Sequence, residues 1–311
     1  MSKVVLVTGA TGKQGGAVIN ALLDQRSEKF TILAVTRDVN AAASQKLLSR
    51  YPSIKLIQGN LNDVPTLFNT ARNATGKPIW GVFSVQISVG NDVTSESEVR
   101  QGRALIDESI AAGVRHFVYS SVDRGGDGKS WDNTTPIPHF RTKYEIEHYL
   151  RDVTALGTPG EKMGWTILRP VAFMDNVTPG FPTKVFLAAL RNWLGSKRMQ
   201  WVATRDIGIF AAKVFTHPSE WDHRSIGLAG DELNFDELSQ AFMSVTGRPA
   251  PVTYSFFGSA MTFMVSELRV MINWFSTDGY AANIQLCRAE HPGLLSFAEW
   301  LSRESRFPSA V

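Results

Sequence analysis

Three glycines near the amino terminus have the spacing of a phosphate-binding loop. Gly9, Gly12 and Gly15 lie in VTGATGKQGG, between the apolar run VVLVT and the helical pattern GGAVINALLDQ. A loop between a strand and a helix can hold a diphosphate against the free N–H groups of the helix N-terminus. Gly9 would allow the tight turn, Gly12 the close approach of the diphosphate, and Gly15 the packing of the helix on the strand. The alternative is a glycine-rich turn without a ligand, since GxxGxxG differs from the more familiar GxGxxG.

The end of the next apolar run bears on which dinucleotide would bind. FTILAV is followed by Thr36, Arg37 and Asp38. NAD sites place a carboxylate here for the ribose 2′-hydroxyl, whereas NADP sites place a cation for the 2′-phosphate. Arg37 therefore predicts NADP(H), although Asp38 would repel the phosphate if it turned inward. Two alternatives are left open. Arg37 could be a solvated surface charge, and Lys13 could either bind phosphate or point to water.

A second group of reactive side chains lies in HFRTKYEIEHYLRDV, which has a helical pattern. His139 and Lys143 are four residues apart, so a helix places them on one face. The Lys143 charge and the helix N-terminus both disfavour a protonated imidazole, so His139 would polarise a substrate oxygen better than protonate it. Two structural alternatives stand beside these roles: His139 as a packing residue, and Lys143 as the ion-pair partner of Glu147.

The elements that must position these residues alternate between two patterns. Helical stretches separate short apolar runs, and one of them ends at Gly113, a suitable residue for a helix terminus. The runs are Val4–Thr8, Phe30–Val35, Ile54–Gln58, Ile79–Val85, Arg115–Ser121 and Gly164–Pro170. This alternation predicts an α/β fold, a doubly wound parallel Rossmann sheet with its ligand at the carboxyl ends of the strands.

The alternation loosens after Pro170, which suggests a second domain. We expect residues 1–155, with later returns near 163–170 and 202–230, to form the nucleotide domain. Residues 171–311 would form a smaller, interleaved α+β lobe for a substrate or partner. Within it, Met261–Phe275 is rich in Met and aromatic residues, and such a stripe belongs to a core more often than to a ligand pocket.

Composition excludes several classes of protein. The 311 residues are 43% hydrophobic and 20% charged, enough for one large or two modest cores. The net charge of +3 is spread without a basic cluster, which argues against direct nucleic-acid binding. Cys287 is the only cysteine, so no intrachain disulfide can form, and we expect it to be buried. His217, His223 and His291 lack metal-ligand spacing, so no metal is expected.

The sequence also bears on where in the cell the protein is expected. The chain has neither an apolar run of about 18 residues nor the apolar core of a signal peptide. A cytoplasmic protein without a membrane segment is expected, with the nucleus as a second location for a regulator. The oligomeric state is left open.

Several motifs, taken in order, resemble one family. VTGATGKQGG, AVTRD, QGNLND, HFRTKYEIEHYL and LRPVAFMDN together resemble the NmrA-like branch of the atypical short-chain dehydrogenase/reductases over nearly the whole chain. The most specific parts are the ATGxQG loop, the HFxxK helix and the LRPxxFMxN strand end.

The resemblance implies a set of cofactor-binding positions. They are Thr11, Gly12, Lys13, Gln14 and Gly15 at the diphosphate, Arg37 at the 2′-phosphate, Asn60 and Leu61 near the adenine, Ser84, Val85 and Gln86 along the cofactor, Lys143 at the nicotinamide ribose, and Val171, Phe173 and Met174 beside the nicotinamide. Asn60 departs from the family pattern, which has an aspartate at that position.

The resemblance also indicates which residues could take part in catalysis. Active short-chain dehydrogenases carry YxxxK and a serine at the end of the preceding strand. Here Lys143 is kept, Ser120 or Ser121 is available, and His139 replaces the tyrosine. We therefore predict NADPH-dependent reduction of a small carbonyl, imine or quinone, with Lys143, His139 and Ser121 at the active site and a small apolar substrate. The alternative is a non-catalytic NADP(H) redox sensor that regulates a transcription factor or another protein partner.

Overall fold

The computed structural model describes residues 2–25, 27–87, 93–253 and 266–310. Its strands are β1 (Lys3–Val7), β2 (Phe30–Thr36), β3 (Lys55–Gln58), β4 (Gly81–Ser84), β5 (His116–Ser120), β6 (Gly164–Pro170), β7 (Ala172–Phe173), β8 (Met199–Val202), β9 (Arg224–Leu228) and β10 (Asp231–Leu233). Its helices are α1 (Lys13–Leu23), α2 (Ala42–Arg50), α3 (Val64–Thr75), α4 (Ser95–Ala111), α5 (Asp127–Asp132), α6 (Pro138–Val153), α7 (Phe181–Leu194), α8 (Thr204–Thr216), α9 (Pro218–Trp221), α10 (Phe235–Thr246), α11 (Ser266–Thr277), α12 (Ile284–Glu290) and α13 (Phe297–Arg303).

Seven strands form one sheet in the order β3-β2-β1-β4-β5-β6-β9. The pairings among β1 to β6 are parallel, and Val7 lies beside Ala34 on one side and Phe83 on the other. Most residues of β1 and all those of β4 and β5 are buried, as expected for strands covered on both faces. The predicted doubly wound Rossmann sheet is confirmed, including its sixth strand.

Local signals in the sequence account for where helices begin and end. Asp63 caps α3 by accepting a hydrogen bond from the Thr66 N–H. Thr94 and Ser97 form a reciprocal capping box at the start of α4. At its other end Gly113 has a φ of +71°, so the predicted helix terminus is confirmed there.

A second, three-stranded sheet has the order β10-β8-β7. A 3₁₀ turn (Met174–Asn176) follows β7. Trp201 of β8 belongs to an apolar cluster with Trp274, Phe275 and Phe297. Trp274 and Phe275 are 1% and 8% exposed, so the core assignment for this end of the Met261–Phe275 stretch is confirmed, whereas residues 261–265 lie outside the described residues.

The chain divides into two compact units, each built from three segments. The first unit comprises residues 1–121, 142–169 and 207–226. The second comprises residues 122–141, 170–206 and 227–311.

Two further sequence-based expectations bear on the fold. Cys287 is buried as expected, its thiol donates to the carbonyl of Gly227 at 3.1 Å, and burial raises its pKa. Across the described ranges, none of the helices is long and apolar enough to cross a bilayer. The same ranges contain no cluster of three or more His, Cys, Asp or Glu side chains able to hold a metal ion.

Candidate functional site

The glycine loop joins β1 to α1 at the carboxyl end of β1. Gly9 has a φ of +59°, a left-handed conformation that glycine adopts at no steric cost, and its carbonyl accepts the N–H of Gly12 at 2.9 Å. Gly12 is the N-cap of α1, where no side chain caps the helix and no acidic residue lies in the first turn. Thr11 and Lys13 are exposed beside it. The N-terminus of α1 thus keeps its partial positive charge available to an anion.

Gly15 brings the helix and the loop into close contact. A Cβ atom at this position would lie 2.3 Å from the Gly9 carbonyl oxygen and 2.8 Å from that of Thr8. Neither backbone oxygen can move away without disturbing β1 or the turn. The predicted packing role of Gly15 is therefore confirmed.

Thr8 fixes this loop to the neighbouring strand end, a role that was not predicted from the sequence. Its fully buried hydroxyl lies 3.0 Å from the Val85 carbonyl oxygen, and it accepts the Val85 N–H at 2.8 Å. A threonine at the end of an otherwise apolar buried strand was the available signal, because a buried hydroxyl needs a partner.

The last residue of β4 and a residue of the loop after it form a buried polar pair. Ser84 is fully buried, and its hydroxyl accepts a hydrogen bond from the Gln86 side-chain amide at 2.9 Å. The Gln86 carbonyl oxygen Oε1 is buried and has no hydrogen-bond partner in the part of the chain that the structure describes. An acceptor buried without a donor costs free energy of folding, so this strand end is not optimised for stability alone.

Ser120 at the end of β5 is joined to the glycine-loop helix. Its hydroxyl donates to Oε1 of Gln14 at 2.5 Å. Of the two serines considered for catalysis, Ser120 thus holds the first turn of α1. Ser121 is 4% exposed, and its N–H donates to the carbonyl of Leu168 at 2.8 Å.

The loop after β2 presents Arg37. Its side chain is exposed and has no recorded partner among the described residues. The carboxylate of Asp38 instead accepts the N–H of Asn40 at 2.8 Å. Ser44 supports this loop, because its hydroxyl donates to the Asp38 carbonyl at 2.7 Å. Asp38 is therefore used within its own turn, and Arg37 is the charge that the loop offers to a ligand.

The loop after β3 lies next in the sheet, since Thr36 and Gln58 are register partners at the strand ends. Asn60 is exposed, and its side-chain oxygen accepts the N–H of Asn62 at 3.0 Å. Leu61 is half-buried. Arg100 and Gln101 of α4 both donate to the Asn62 side chain and so anchor the loop.

Lys143 of α6 forms a buried ion pair, though not the one considered from the sequence. Its Nζ donates to Oε1 of Glu98 at 2.9 Å, and the neighbouring Thr142 hydroxyl donates to Oε2 at 2.7 Å. The Lys143–Glu147 pair does not form. Glu147 instead binds Arg169 of β6 through two hydrogen bonds of 2.7 and 3.1 Å, with both side chains fully buried.

His139 lies on the same helix, four residues before Lys143. It is half-buried, and its ring meets that of Phe140 edge to face at a centroid distance of 4.9 Å. Phe140 in turn packs on Trp274 and Tyr280. This ring contact supports the packing role of His139.

The remaining predicted cofactor residues belong to the second unit. Val171 is buried, and its N–H donates to the carbonyl of Leu228 at 3.2 Å. Phe173 is half-buried in β7, and Met174 is fully buried in the apolar cluster. Their position beside a nicotinamide remains the prediction made from the resemblance.

Comparison with known families and proteins agrees with this architecture. The model of the NmrA-like family matches residues 1–301. Among curated proteins, the NmrA-like family domain-containing oxidoreductase ptmS of Penicillium ochrochloron is 26% identical over 260 residues, covering 79% of this chain and 74% of the relative.

Solved structures show the same fold. A mutant form of NmrA superposes with a TM-score of 0.71 at 19% identity, covering 99% of this chain and 96% of NmrA. NmrA is described as a negative transcriptional regulator and has been solved with NAD and with NADP. Triphenylmethane reductase from Citrobacter sp., solved with NADP(H), has a TM-score of 0.68 at 19% identity and covers 96% of this chain and 98% of its own.

Proposed function

This chain belongs to the NmrA-like family, and on that premise we propose that it is an NADPH-dependent reductase of a small apolar carbonyl, imine or quinone. The observation that carries the proposal is the uncapped N-terminus of α1 behind Gly9, Gly12 and Gly15. It supports binding of a diphosphate, because free N–H groups and the helix dipole both favour an anion there.

The strand ends of the first unit would provide the other contacts that a dinucleotide needs. Loops after β2, β3 and β4 follow parallel strands and so lie at the same edge of the sheet as the glycine loop. Arg37 would bind the 2′-phosphate, Asn60 and Leu61 would lie near the adenine, and Ser84, Val85 and Gln86 would line the cofactor. When bound, NADPH supplies a hydride to an electrophilic carbon.

The preference for NADP(H) over NAD(H) rests on the loop after β2. A guanidinium can donate two charge-assisted hydrogen bonds to a phosphate. Since the Asp38 carboxylate is held by the Asn40 N–H, it is not poised to bind a ribose hydroxyl as in NAD sites. Arg37 therefore favours the phosphorylated cofactor.

The polar groups of α6 indicate which substrates suit the site. Lys143 gives one of its three donors to Glu98, which leaves donors for the hydroxyls of the nicotinamide ribose. Glu98 also balances the Lys143 charge, and His139 stands in place of the usual tyrosine. The chain thus lacks the phenol that usually donates the proton, which suits an acceptor that is already electrophilic, such as an iminium or a quinone, better than an unactivated ketone.

The test is oxidation of NADPH and NADH by the purified protein against a panel of ketones, quinones and cyclic imines, with a Lys143→Ala variant alongside. We expect NADPH-dependent turnover of imines or quinones that falls sharply in the variant. Equal turnover of imines and ketones would contradict the argument about protonation. Turnover that does not depend on Lys143 would remove that residue from the site.

A second function, redox sensing without catalysis, is favoured by the His139–Phe140 contact, because this contact gives the residue at the tyrosine position a packing role that requires no reaction. It is also the function suggested by the regulator NmrA. A sensor must bind NADP⁺ and NADPH with different affinities if the two are to favour different conformations. No turnover across the panel, together with a clear difference between the two affinities, would select this function.

A further inference from the structure

The buried cluster of Glu98, Thr142 and Lys143 has a geometry that the proposed function does not by itself require. We infer that Glu98 is a positioning residue, which aims the Lys143 ammonium at the nicotinamide ribose and fixes the affinity for the cofactor. This inference rests on the proposed function.

The two oxygens of Glu98 are used separately. Oε1 accepts from Lys143 Nζ at 2.9 Å, and Oε2 accepts from the Thr142 hydroxyl at 2.7 Å. The Glu98 side chain is 1% exposed and that of Lys143 11%. The carboxylate is therefore held on one side by Thr142 and holds the ammonium on the other. A flexible lysine fixed in this way loses less conformational freedom when it binds a ligand.

The helices are built to bring these residues together. Glu98 lies in the first turn of α4, which follows β4, and its backbone N–H is bonded to the Thr94 carbonyl of the capping box. One turn further along α4, Gly102 faces α6: a Cβ there would lie 2.6 Å from Cδ1 of Ile146. Glycine at this point lets the two helices approach closely, one turn away from the Glu98–Lys143 pair.

The cluster also lies at the correct edge of the sheet. A helix that follows a parallel strand begins at the carboxyl end of that strand, so the first turn of α4 lies near the end of β4. Ser84 and Gln86 belong to the same strand end, which lies at the edge of the sheet where parallel α/β folds bind their ligands. The Lys143 ammonium is thereby placed where a ribose beyond the diphosphate would extend.

A comparison of two ligands tests this role. NADPH contains the nicotinamide ribose, whereas 2′,5′-ADP retains the adenosine 2′-phosphate but lacks that ribose. For E98Q, which keeps the shape of the side chain and removes its charge, we expect NADPH to bind about tenfold more weakly, the size of one charge-assisted hydrogen bond. Binding of 2′,5′-ADP should stay unchanged, because that ligand does not reach Lys143.

The matched control is E147Q. Glu147 is a second buried glutamate, which lies on α6 and pairs with Arg169. Removing its charge should lower the unfolding temperature and leave both affinities as in the wild type. T142V removes only the hydroxyl that holds Oε2 and should weaken NADPH binding less than E98Q does. If E98Q does not fold, T142V provides the same comparison.

A double-mutant cycle with K143M separates positioning from a structural effect. E98Q should weaken NADPH binding in the wild-type background and have no further effect when Lys143 is absent. An equal loss for both ligands, or an equal loss with and without Lys143, would overturn the inference. If the wild type binds both ligands and E98Q and T142V bind them with the same affinities, the inference about Glu98 is wrong and the proposed function is unaffected. If the wild type binds neither ligand, both the inference and the proposed function are wrong.

Discussion

The Thr8 hydroxyl both donates to the Val85 carbonyl oxygen and accepts a hydrogen bond from the Val85 N–H, although the two residues are 77 positions apart. The contact links the start of the glycine loop to the segment that carries Gln86. For T8V we expect unfolding free energy to fall by about 1–3 kcal/mol, because the Val85 N–H loses its recorded partner. T8S keeps the hydroxyl and serves as the control. Urea unfolding measures the effect, and equal stability of T8V and the wild type would contradict it.

Two adjacent glycines of α1 provide a matched test of the packing argument. At Gly15 a Cβ would lie 2.3 Å from a backbone oxygen, whereas at Gly16 the nearest atom would be the Ala10 oxygen at 3.6 Å. G15A should lower the unfolding free energy by about 1–3 kcal/mol or more and abolish NADPH binding, because backbone must shift. G16A should be tolerated, since alanine favours a helix by about 1 kcal/mol over glycine. Equal stability of the two variants would refute the close contact.

Arg37 should determine the choice between the two dinucleotides. Loss of its bonds to the 2′-phosphate costs roughly 1.5–3 kcal/mol, so R37A should bind NADPH about ten to a hundred times more weakly. NADH affinity should stay unchanged. Both affinities should also stay unchanged in R50A, which removes another exposed cation at the far end of α2. Titration by cofactor fluorescence gives all of these values. A parallel loss of NADH affinity in R37A would mean that Arg37 does not act through the 2′-phosphate.

His116 should make the protein sensitive to acid. It is buried on β5, and because the Thr166 hydroxyl donates to the Trp221 carbonyl, the imidazole Nε2 must donate to Thr166. Burial lowers the pKa of His116 from 6.5 to about 4, against the opposing effect of Asp222.

Whether stability rises or falls with pH depends on which state, folded or unfolded, binds the proton. Between pH 6.5 and about 4 the unfolded chain binds a proton at His116 that the folded protein does not, so stability falls as pH falls. The full loss is about 3 kcal/mol. H116N should lose less stability than the wild type between pH 7.5 and pH 4 in urea unfolding. Parallel pH profiles for the two proteins would contradict the assignment.

Sequence patterns were sufficient to predict the strands of the large sheet and the structure of the glycine loop. β6 has the predicted bounds, Gly164–Pro170, because a buried strand ending at proline is a local signal. The roles of Gly9 and Gly15 could likewise be predicted, since each depends on backbone within a few residues. Arg37 lies directly after β2, as predicted, while its contact with a 2′-phosphate stays a prediction.

Contacts between distant segments could not be predicted in the same way. The rule for residues four apart on a helix suggested Glu147 as the partner of Lys143, but Arg169 arrives from β6 and binds that carboxylate. Glu98, which does bind Lys143, is 45 residues away in sequence. Ser120 and Gln14 are 106 residues apart. Such partners are set by how strands and helices stack, which a local pattern does not contain.

The alternation of the two units along the chain has a consequence for biosynthesis. The first 121 residues contain β1 to β5, but β6, which pairs with β5, is not complete until residue 170 has been made. At about 5–20 residues per second, β5 waits some seconds on the ribosome with its hydrogen-bonding groups unpaired on that side. An unpaired strand edge invites association with other chains. Released chains that end between residues 121 and 164, which contain β5 but not β6, should therefore be the form most dependent on chaperones.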